Sequence, residues 1–237
     1  MRQASLIIIG DEILSGRTED KNLAYLANWL GKIGINLSEV RVILDDEEAI
    51  IMAVNNLRKK YDYVFTTGGI GPTHDDITTE SIAKAFGVET RIDDDALEKM
   101  QTFLEGKELT EPLLKMLRIP EGGELIYSPV TKAPGYKIGN VFVMAGIPKI
   151  MRGMLEGMYD YLEKGDLIHS RSFDIMVGES FFAEELTQIQ DKYSDVSVGS
   201  YPFSRDGKYG ATIVIRSTQE SQLESCELLV KELISRF

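Results

Sequence analysis

The residues best suited to chemistry lie in one glycine-rich loop between Thr66 and Thr79. Its glycines let the backbone approach a ligand closely and turn N–H groups toward an anion, and its hydroxyls add further donors. The candidate phosphate-binding residues are Thr67, Gly68, Gly69, Gly71, Thr73 and Thr78. The spacing matches neither the dinucleotide fingerprint nor the P-loop, because no Gly-Lys-Ser/Thr follows. The loop therefore predicts a phosphate site, with a tight connection that binds nothing as the alternative.

Two adjacent carboxylates, Asp75 and Asp76, follow in the same loop. Beside a bound phosphate they would repel it unless a cation bridged the two groups. Carboxylate oxygens suit Mg²⁺, Mn²⁺ or Co²⁺. The pair therefore predicts a divalent-metal site in which both side chains hold the cation or orient an attacking water. His74, just before them, is either a general base or an exposed loop residue.

Buried strands and amphipathic helices must bring this loop to other loops. Strands are predicted at Leu6–Ile9, Leu37–Leu44 and Tyr63–Thr66, with helices after Asp20 and over 47–60 between them. Such alternation indicates an α/β fold with a mostly parallel sheet and helices on both faces. The loop after each strand then reaches the same carboxyl edge of the sheet, where ligands bind.

Two further loops at that edge carry acidic residues. Gly10 opens the segment Gly10-Asp11-Glu12, whose carboxylates are either ligands or solvated loop residues. Asp45 and Asp46 follow the second strand, and either one is suited to cap the next helix, whose first turn is also acidic. Asp45 is therefore a candidate metal ligand and catalytic residue, with helix capping as its alternative.

The later chain indicates a second, smaller domain. Helices are predicted at 79–86, across 93–117 with breaks near Gly106 and Pro112, and from Pro148, with short strands at 124–127 and 141–144. The segment Lys164-Gly165-Asp166 marks a boundary, which predicts domains 1–164 and 165–237. The second domain shows a βαββα order with a turn at Arg205-Asp206-Gly207, typical of a small α+β domain. It is predicted to support the first domain without doing chemistry.

Charge and composition limit the partners. The formal net charge is −12 and no basic cluster occurs, which argues against a nucleic acid or an anionic membrane surface as partner. A small phosphate ligand stays possible, because backbone N–H groups and a cation neutralise it locally. The single cysteine, Cys226, lies in a helical pattern and is predicted to be packed. The sequence shows neither a secretory signal nor an apolar run long enough for a membrane helix. The protein is therefore predicted to be cytoplasmic.

Several of these motifs resemble the competence/damage-inducible protein A family, CinA. The matching segments are Gly10-Asp11-Glu12-Ile13-Leu14 with Gly16, Asp20 and Asn22, then Gly68 to Thr78, Ala133-Pro134-Gly135 and Gly146-Ile147-Pro148. The similarity runs from Leu6 to about Leu162 and is weaker beyond Gly178. The N-terminal domain of that family has the three-layer, mostly parallel molybdopterin-binding (MoaB/Mog-like) fold, so the resemblance implies that fold here.

The resemblance also implies an activity and a set of site residues. Some CinA proteins hydrolyse ADP-ribose to AMP and ribose 5-phosphate with a divalent cation and potassium. Asp45 and Asp76 match the two acidic positions implicated in molybdopterin adenylyltransferases, whereas Asp75 replaces a basic residue of those enzymes and follows the CinA pattern. Further contacts to a nucleotide or pterin ligand are implied for Gly10, Glu12, Asn22, Pro134 and Gly135. The family suggests a homodimer.

Three features depart from the family pattern. Many CinA proteins carry a C-terminal amidase domain, and with the sequence ending at Phe237 no deamidation is predicted. Lys132 stands where a small residue is frequent before Ala-Pro-Gly. Ile150 stands where a glutamate is frequent after the Gly-Ile-Pro turn, which removes one acidic group.

Together these observations predict a metal-dependent nucleotide diphosphate hydrolase of the ADP-ribose pyrophosphatase type. The cation would be Mg²⁺, Mn²⁺, Co²⁺ or Ni²⁺, with potassium as a possible second ion. One alternative is a binding module that holds molybdopterin or a nucleotide without turnover. A third hypothesis, adenylyl transfer to molybdopterin, ranks lowest because Asp75 does not follow the transferase pattern.

Overall fold

The fold is described from a computed structural model covering residues 2–205 and 207–237. The chain falls into two compact units, Met1–Gly165 and Asp166–Phe237. The predicted turn at Arg205-Asp206-Gly207 includes Asp206, which lies outside the described residues. None of the helices in the described ranges is long and apolar enough to cross a bilayer.

Strands and helices alternate along most of the first unit. In chain order they are β1 (Arg2–Ile9), α1 (Asp11–Leu14), α2 (Asn22–Gly31), β2 (Ile35–Ile43), α3 (Glu47–Lys60), β3 (Tyr63–Thr67), α4 (Thr78–Phe86), β4 (Thr90–Ile92), α5 (Asp94–Leu104), α6 (Glu111–Lys115), β5 (Arg118–Pro120), β6 (Glu124–Ile126), β7 (Gly135–Ile138), β8 (Val141–Met144) and α7 (Pro148–Met158). The second unit contains β9 (His169–Ile175), α8 (Ala183–Lys192), β10 (Ser197–Arg205), β11 (Lys208–Ser217) and α9 (Glu220–Ile234).

The main sheet of the first unit has the strand order β2-β1-β3-β8-β7-β6. The first four neighbours pair in parallel, and β7 runs antiparallel to both of its neighbours. The parallel strands β1, β3 and β8 are short apolar runs because helices cover both of their faces. Their carboxyl ends meet at one edge, which gathers the loops after β1, β2 and β3.

Two hydrophobic cores sandwich this sheet. Leu6 and Ile8 of β1 point to a core completed by α2 and α7, and Ile7 and Ile9 point to a core completed by α3 and α4. This alternation follows from the two-residue period of a strand. The first unit therefore has three layers, helix–sheet–helix, and the predicted α/β class with a mostly parallel sheet is confirmed.

The second unit is a small α+β domain. Its strands form an antiparallel sheet in the order β10-β11-β9. Residues of α8 and α9 join one core with alternate residues of the strands, and Cys226 is fully buried in that core, as predicted. The predicted βαββα order is confirmed.

Several local predictions were wrong. Asp11 and Glu12 begin a short helix instead of lying in a loop, and the β4–β5 pair and strand β7 were not predicted. The predicted break near Gly106 and Pro112 is, by contrast, confirmed, because α5 ends at Leu104 and α6 begins at Glu111, with Pro112 in its first turn, where the missing N–H costs nothing.

The start of α3 gives a first test of how its acidic residues divide their roles. The Asp46 side chain accepts a hydrogen bond from the Ala49 N–H at 2.9 Å, so Asp46 is the N-cap. We expect Asp46→Ala to reduce the free energy of unfolding by about 1 kcal/mol, because it leaves that N–H unsatisfied. Urea denaturation measures the change, and Asp46→Asn, which keeps an acceptor, serves as control. Equal stability of the alanine variant and the wild type would show that the cap contributes nothing.

Candidate functional site

A cavity of about 970 Å³ opens at the carboxyl edge of the main sheet, entirely within the first unit. The loops after β1, β2 and β3 contribute to it together with helices α5 and α6. The predicted site residues that line it are Gly10, Glu12, Asp45, Gly68, Gly69, Gly71, Asp75, Asp76 and Pro134. The three acidic loops that the sequence places at this edge therefore meet in one cavity.

The loop after β3 has room only for glycine at its first two positions. Gly68 has a φ of 103°, and a Cβ there would lie 2.1 Å from the Ile9 carbonyl oxygen. Gly69 has a φ of 67°, and a Cβ there would lie 2.1 Å from Oγ1 of Thr78. Side chains at either position would be strained and would collide with neighbouring atoms. The absence of side chains also lets a ligand approach the backbone on the cavity side.

Hydrogen bonds fix the same loop to the elements on either side. The Gly68 N–H donates to the Met144 carbonyl at 3.1 Å, at the end of β8. The Thr78 N–H donates to the Gly69 carbonyl at 3.0 Å, and the Thr78 hydroxyl donates to the Gly68 carbonyl at 3.1 Å. The loop is therefore a preorganised turn, held by β8 and by the start of α4.

Asp76 holds the far end of the loop. Its Oδ2 accepts hydrogen bonds from the N–H of Thr73, at 2.8 Å, and from the Thr73 hydroxyl. Gly71 faces the same carboxylate, since a Cβ there would lie 2.6 Å from Oδ2 of Asp76. Lys115 of α6 donates to the Thr73 carbonyl. One carboxylate oxygen of Asp76 is thus committed to shaping the loop, and the side chain still lines the cavity.

Asp45 is placed differently from its neighbour Asp46. Its Oδ2 accepts from the Asp11 N–H, and its own N–H donates to Asp11 Oδ1, both at 3.1 Å. This reciprocal pair joins the loops after β1 and β2. Burial raises the pKa of Asp45, the Asp11 N–H opposes that shift, and the nearby charges of Asp11, Glu12 and Asp75 raise the pKa further. The sequence left open whether Asp45 or Asp46 caps α3. The structure shows that Asp46 is the cap and that Asp45 lines the cavity.

The acidic side chains of the cavity suit a cation in chemical type. Glu12, Asp45, Asp75 and Asp76 all present oxygen ligands, and burial, together with the nearby acidic side chains, raises the pKa of Asp45. Within residues 2–205 and 207–237, however, no group of three or more His, Cys, Asp or Glu side chains is arranged to hold a metal ion. A cation here would need further oxygens from ligand or water, which is how Mg²⁺ is commonly bound.

The other predicted site residues do not line the cavity. Asn22 is 4% exposed, and its Nδ2 donates to the Gly146 carbonyl at 2.8 Å, which ties α2 to the turn before α7. Thr67 and Thr78 are buried, Thr73 bonds to Asp76 as described, and Gly135 is the buried first residue of β7. The His74 side chain is 99% exposed, which matches the exposed-loop alternative. These residues surround and support the loops that form the cavity.

Sequence reasoning missed the apolar wall of the cavity. It consists of one face of α5 and α6 and includes Met100, Phe103, Leu104, Leu113 and Met116. The helical spacing was visible, but a face that lines a cavity has the same pattern as one that faces a core. Lys132 and Ile150, the two side chains that depart from the CinA pattern, also line the cavity.

Comparison with known families identifies the first unit. Residues 5–164 match the family described as "Probable molybdopterin binding domain", and residues 167–236 match the one described as "FAD synthase, middle domain". The first match covers more than half of the chain. The chain therefore belongs to the probable molybdopterin binding domain family, which confirms the predicted MoaB/Mog-like fold.

Three individual proteins show which relatives the chain resembles. A solved structure of the protein CinA from Thermoplasma acidophilum, described as of unknown function, is 37% identical with a TM-score of 0.63, covering 68% of this chain and 97% of that one. A protein of Clostridium beijerinckii named as competence-damage inducible is 34% identical over 96% of this chain and 57% of its own length. A probable FAD synthase of Caenorhabditis elegans is 30% identical over 99% of this chain. The CinA resemblance of the sequence is confirmed, while the chain spans 50% of that FAD synthase.

The raised pKa of Asp45 predicts how the stability of the folded protein depends on pH. Because the folded protein favours the protonated form, the ionised Asp45 costs stability once the pH exceeds its raised pKa. We expect Asp45→Asn to melt at a higher temperature than the wild type near pH 7 without metal. The difference should shrink as the pH falls toward 3.8, the ordinary value for an aspartate, because the wild type then becomes neutral as well.

Thermal denaturation in chelator across that pH range checks this expectation. The asparagine keeps an oxygen that accepts from the Asp11 N–H, so the contact between the two loops survives. Asp160→Asn, an exposed aspartate outside the cavity lining, is the matched control and should change little. An Asp45→Asn variant that melts below the wild type near pH 7 would contradict the assignment.

Proposed function

We propose that this cavity hydrolyses nucleotide diphosphates with a bound divalent cation, and that ADP-ribose is the first substrate to test. The observation that carries the proposal is that one cavity is lined both by a turn with two positions open only to glycine and by the carboxylates of Glu12, Asp45, Asp75 and Asp76. Carboxylates beside a phosphate nest are unfavourable unless a cation joins them. The confirmed CinA relationship supports this class of reaction.

The residues of the cavity would have different roles in this reaction. The backbone of Gly69 and Gly71 would hold one phosphate, helped by the N-terminal end of α4, while Gly68 shapes the turn because its N–H already donates to the Met144 carbonyl. Asp45 and Asp75, with phosphate oxygens, would hold the cation, which when bound neutralises phosphoryl charge and acidifies a water. Asp76 would keep the loop in shape and orient the attacking water.

The reaction balances with water as the only co-substrate. The water oxygen forms a bond to one phosphorus, and the bond from that phosphorus to the bridging oxygen breaks. One proton of the water passes to Asp76, which orients that water and is not one of the two proposed cation ligands. ADP-ribose and water thus give AMP and ribose 5-phosphate.

The test is AMP release from ADP-ribose with Mg²⁺, Mn²⁺, Co²⁺ or Ni²⁺ supplied one at a time, with and without potassium. We expect turnover with at least one metal, and a loss of roughly a hundredfold or more in Asp76→Asn. That variant should keep its melting temperature, because its amide oxygen still accepts from the Thr73 N–H. Purified protein inactive on ADP-ribose, FAD and NADH with every metal would exclude the hydrolase.

A binding module without turnover is the second candidate. The family description, a probable molybdopterin binding domain, favours it. On this hypothesis the same cavity holds a nucleotide or a pterin, and calorimetry would record tight binding while no product forms. Adenylyl transfer would instead show incorporation of AMP from ATP, which a hydrolase lacks.

Lys132 provides a further test of the substrate charge. It is the cationic side chain that the described residues place in the cavity lining, facing a cavity that also contains four carboxylates. We expect Lys132→Met to raise KM for ADP-ribose roughly tenfold, since one charge-assisted hydrogen bond to the diphosphate is lost. Steady-state kinetics at two salt concentrations measure the change, which should be smaller at high salt.

Lys32→Met is the matched control for Lys132. Lys32 is exposed at the end of α2 and does not line the cavity, so its loss changes the net charge equally without touching the ligand. An equal rise of KM in both variants would mean that only the overall charge matters.

A further inference from the structure

The cavity has a second half with a different chemistry. On α5, Met100, Phe103 and Leu104 are spaced at i, i+3 and i+4, and therefore share one face of the helix. Leu113 and Met116 add apolar side chains from α6 and from the residue that follows it. The cavity is thus acidic and glycine-lined where the sheet ends and apolar where these helices stand. A phosphate alone would leave the apolar half unused.

Phe103 is unusual within this wall. It is 60% exposed, whereas Met100 on the same face is 4% exposed and belongs to a small core with Ala96 and Leu117. Phe103 is not part of that core. Phe103 lines the cavity together with the apolar side chains of the same wall, and such a contiguous apolar surface, rather than exposure alone, is a sign of a binding site.

The size and the two halves of the cavity restrict the ligand. At about 970 Å³ the cavity exceeds what a sugar phosphate needs and lies in the range of nucleotide-sized ligands. A ligand that fills it must be anionic at one end and flat and apolar at the other. Nucleotides with a heteroaromatic ring have this composition, and rings stack well on aromatic faces and beside methionine sulfur.

We propose that the wall formed by α5 and α6 is a ring subsite, in which Phe103 stacks on the heteroaromatic ring of the nucleotide whose phosphate occupies the glycine turn. This deepens the proposed function and rests on it for the phosphate end of the ligand. Phe103 is then a specificity-determining residue that selects nucleotides over simple phosphate esters. The ring is a purine or a larger fused system, and the experiment distinguishes these.

Calorimetric titration of the full chain with Mg²⁺ present tests the subsite without requiring turnover. The probes are AMP, FMN and ribose 5-phosphate, of which the last has the phosphate and sugar but no ring. We expect Phe103→Ala to weaken AMP or FMN binding roughly tenfold and to leave ribose 5-phosphate unchanged. Phe103→Trp should restore the loss, because it returns an aromatic face. The ring nucleotide that suffers the larger loss identifies the ring.

Phe181→Ala is the matched control. Phe181 is 68% exposed and does not line the cavity, so its truncation removes a similar exposed ring and should change no affinity. Equal weakening of AMP and ribose 5-phosphate by Phe103→Ala would overturn the proposal, as would unchanged affinity for all three probes or no binding of AMP and FMN to the wild type. If the protein binds AMP through Phe103 but hydrolyses nothing, the ring subsite stands and the hydrolase fails.

Discussion

The close approach of Gly68 to the end of β1 is the constraint on which the site depends. A Cβ at Gly68 would lie 2.1 Å from the Ile9 carbonyl oxygen, so the backbones of two loops touch without side chains between them. Gly146 packs against the same glycine, where a Cβ would lie 3.3 Å from the Gly68 Cα. Three loops from separate parts of the chain therefore meet at one point. Any larger residue there would push these loops, and the carboxylates they carry, away from the glycine turn.

The acidic side chains around this point divide their work. Asp46 caps a helix, Asp76 uses one oxygen to close a turn, and Asp45 shares a reciprocal pair of hydrogen bonds with Asp11. The first two roles are satisfied within the fold. Burial is the main cause of the raised pKa of Asp45, and the nearby charges of Asp11, Glu12 and Asp75 add to it. The adjacent residues Asp45 and Asp46 thus have different roles: Asp45 lines the cavity, whereas Asp46 caps α3.

The sequence was informative wherever strand and helix patterns alternate. The apolar runs before Gly10 and Thr67 predicted parallel strands, and the topology then required their loops to share an edge. It could not predict that Asn22 and Thr78 bond to backbone carbonyls rather than line the cavity. A sequence pattern gives the spacing of residues along the chain but not the distances between atoms in the fold. It also missed the wall around Phe103, since an amphipathic helix does not reveal whether its apolar face meets a core or a ligand.

The wall of the cavity rests on a hydrophobic cluster of its own. Ala96, Met100 and Leu117 pack together with β4 and β5 nearby, apart from the two cores that sandwich the main sheet. Lys115, next to this cluster in the chain, donates a hydrogen bond to the Thr73 carbonyl in the glycine-rich loop after β3. In the proposed function, substrate choice and bond cleavage would therefore rest on differently packed parts of the first unit. If so, α5 and α6 could be exchanged for another pair of helices to change the ligand preference, while the glycine turn and the carboxylates at the sheet edge stay the same.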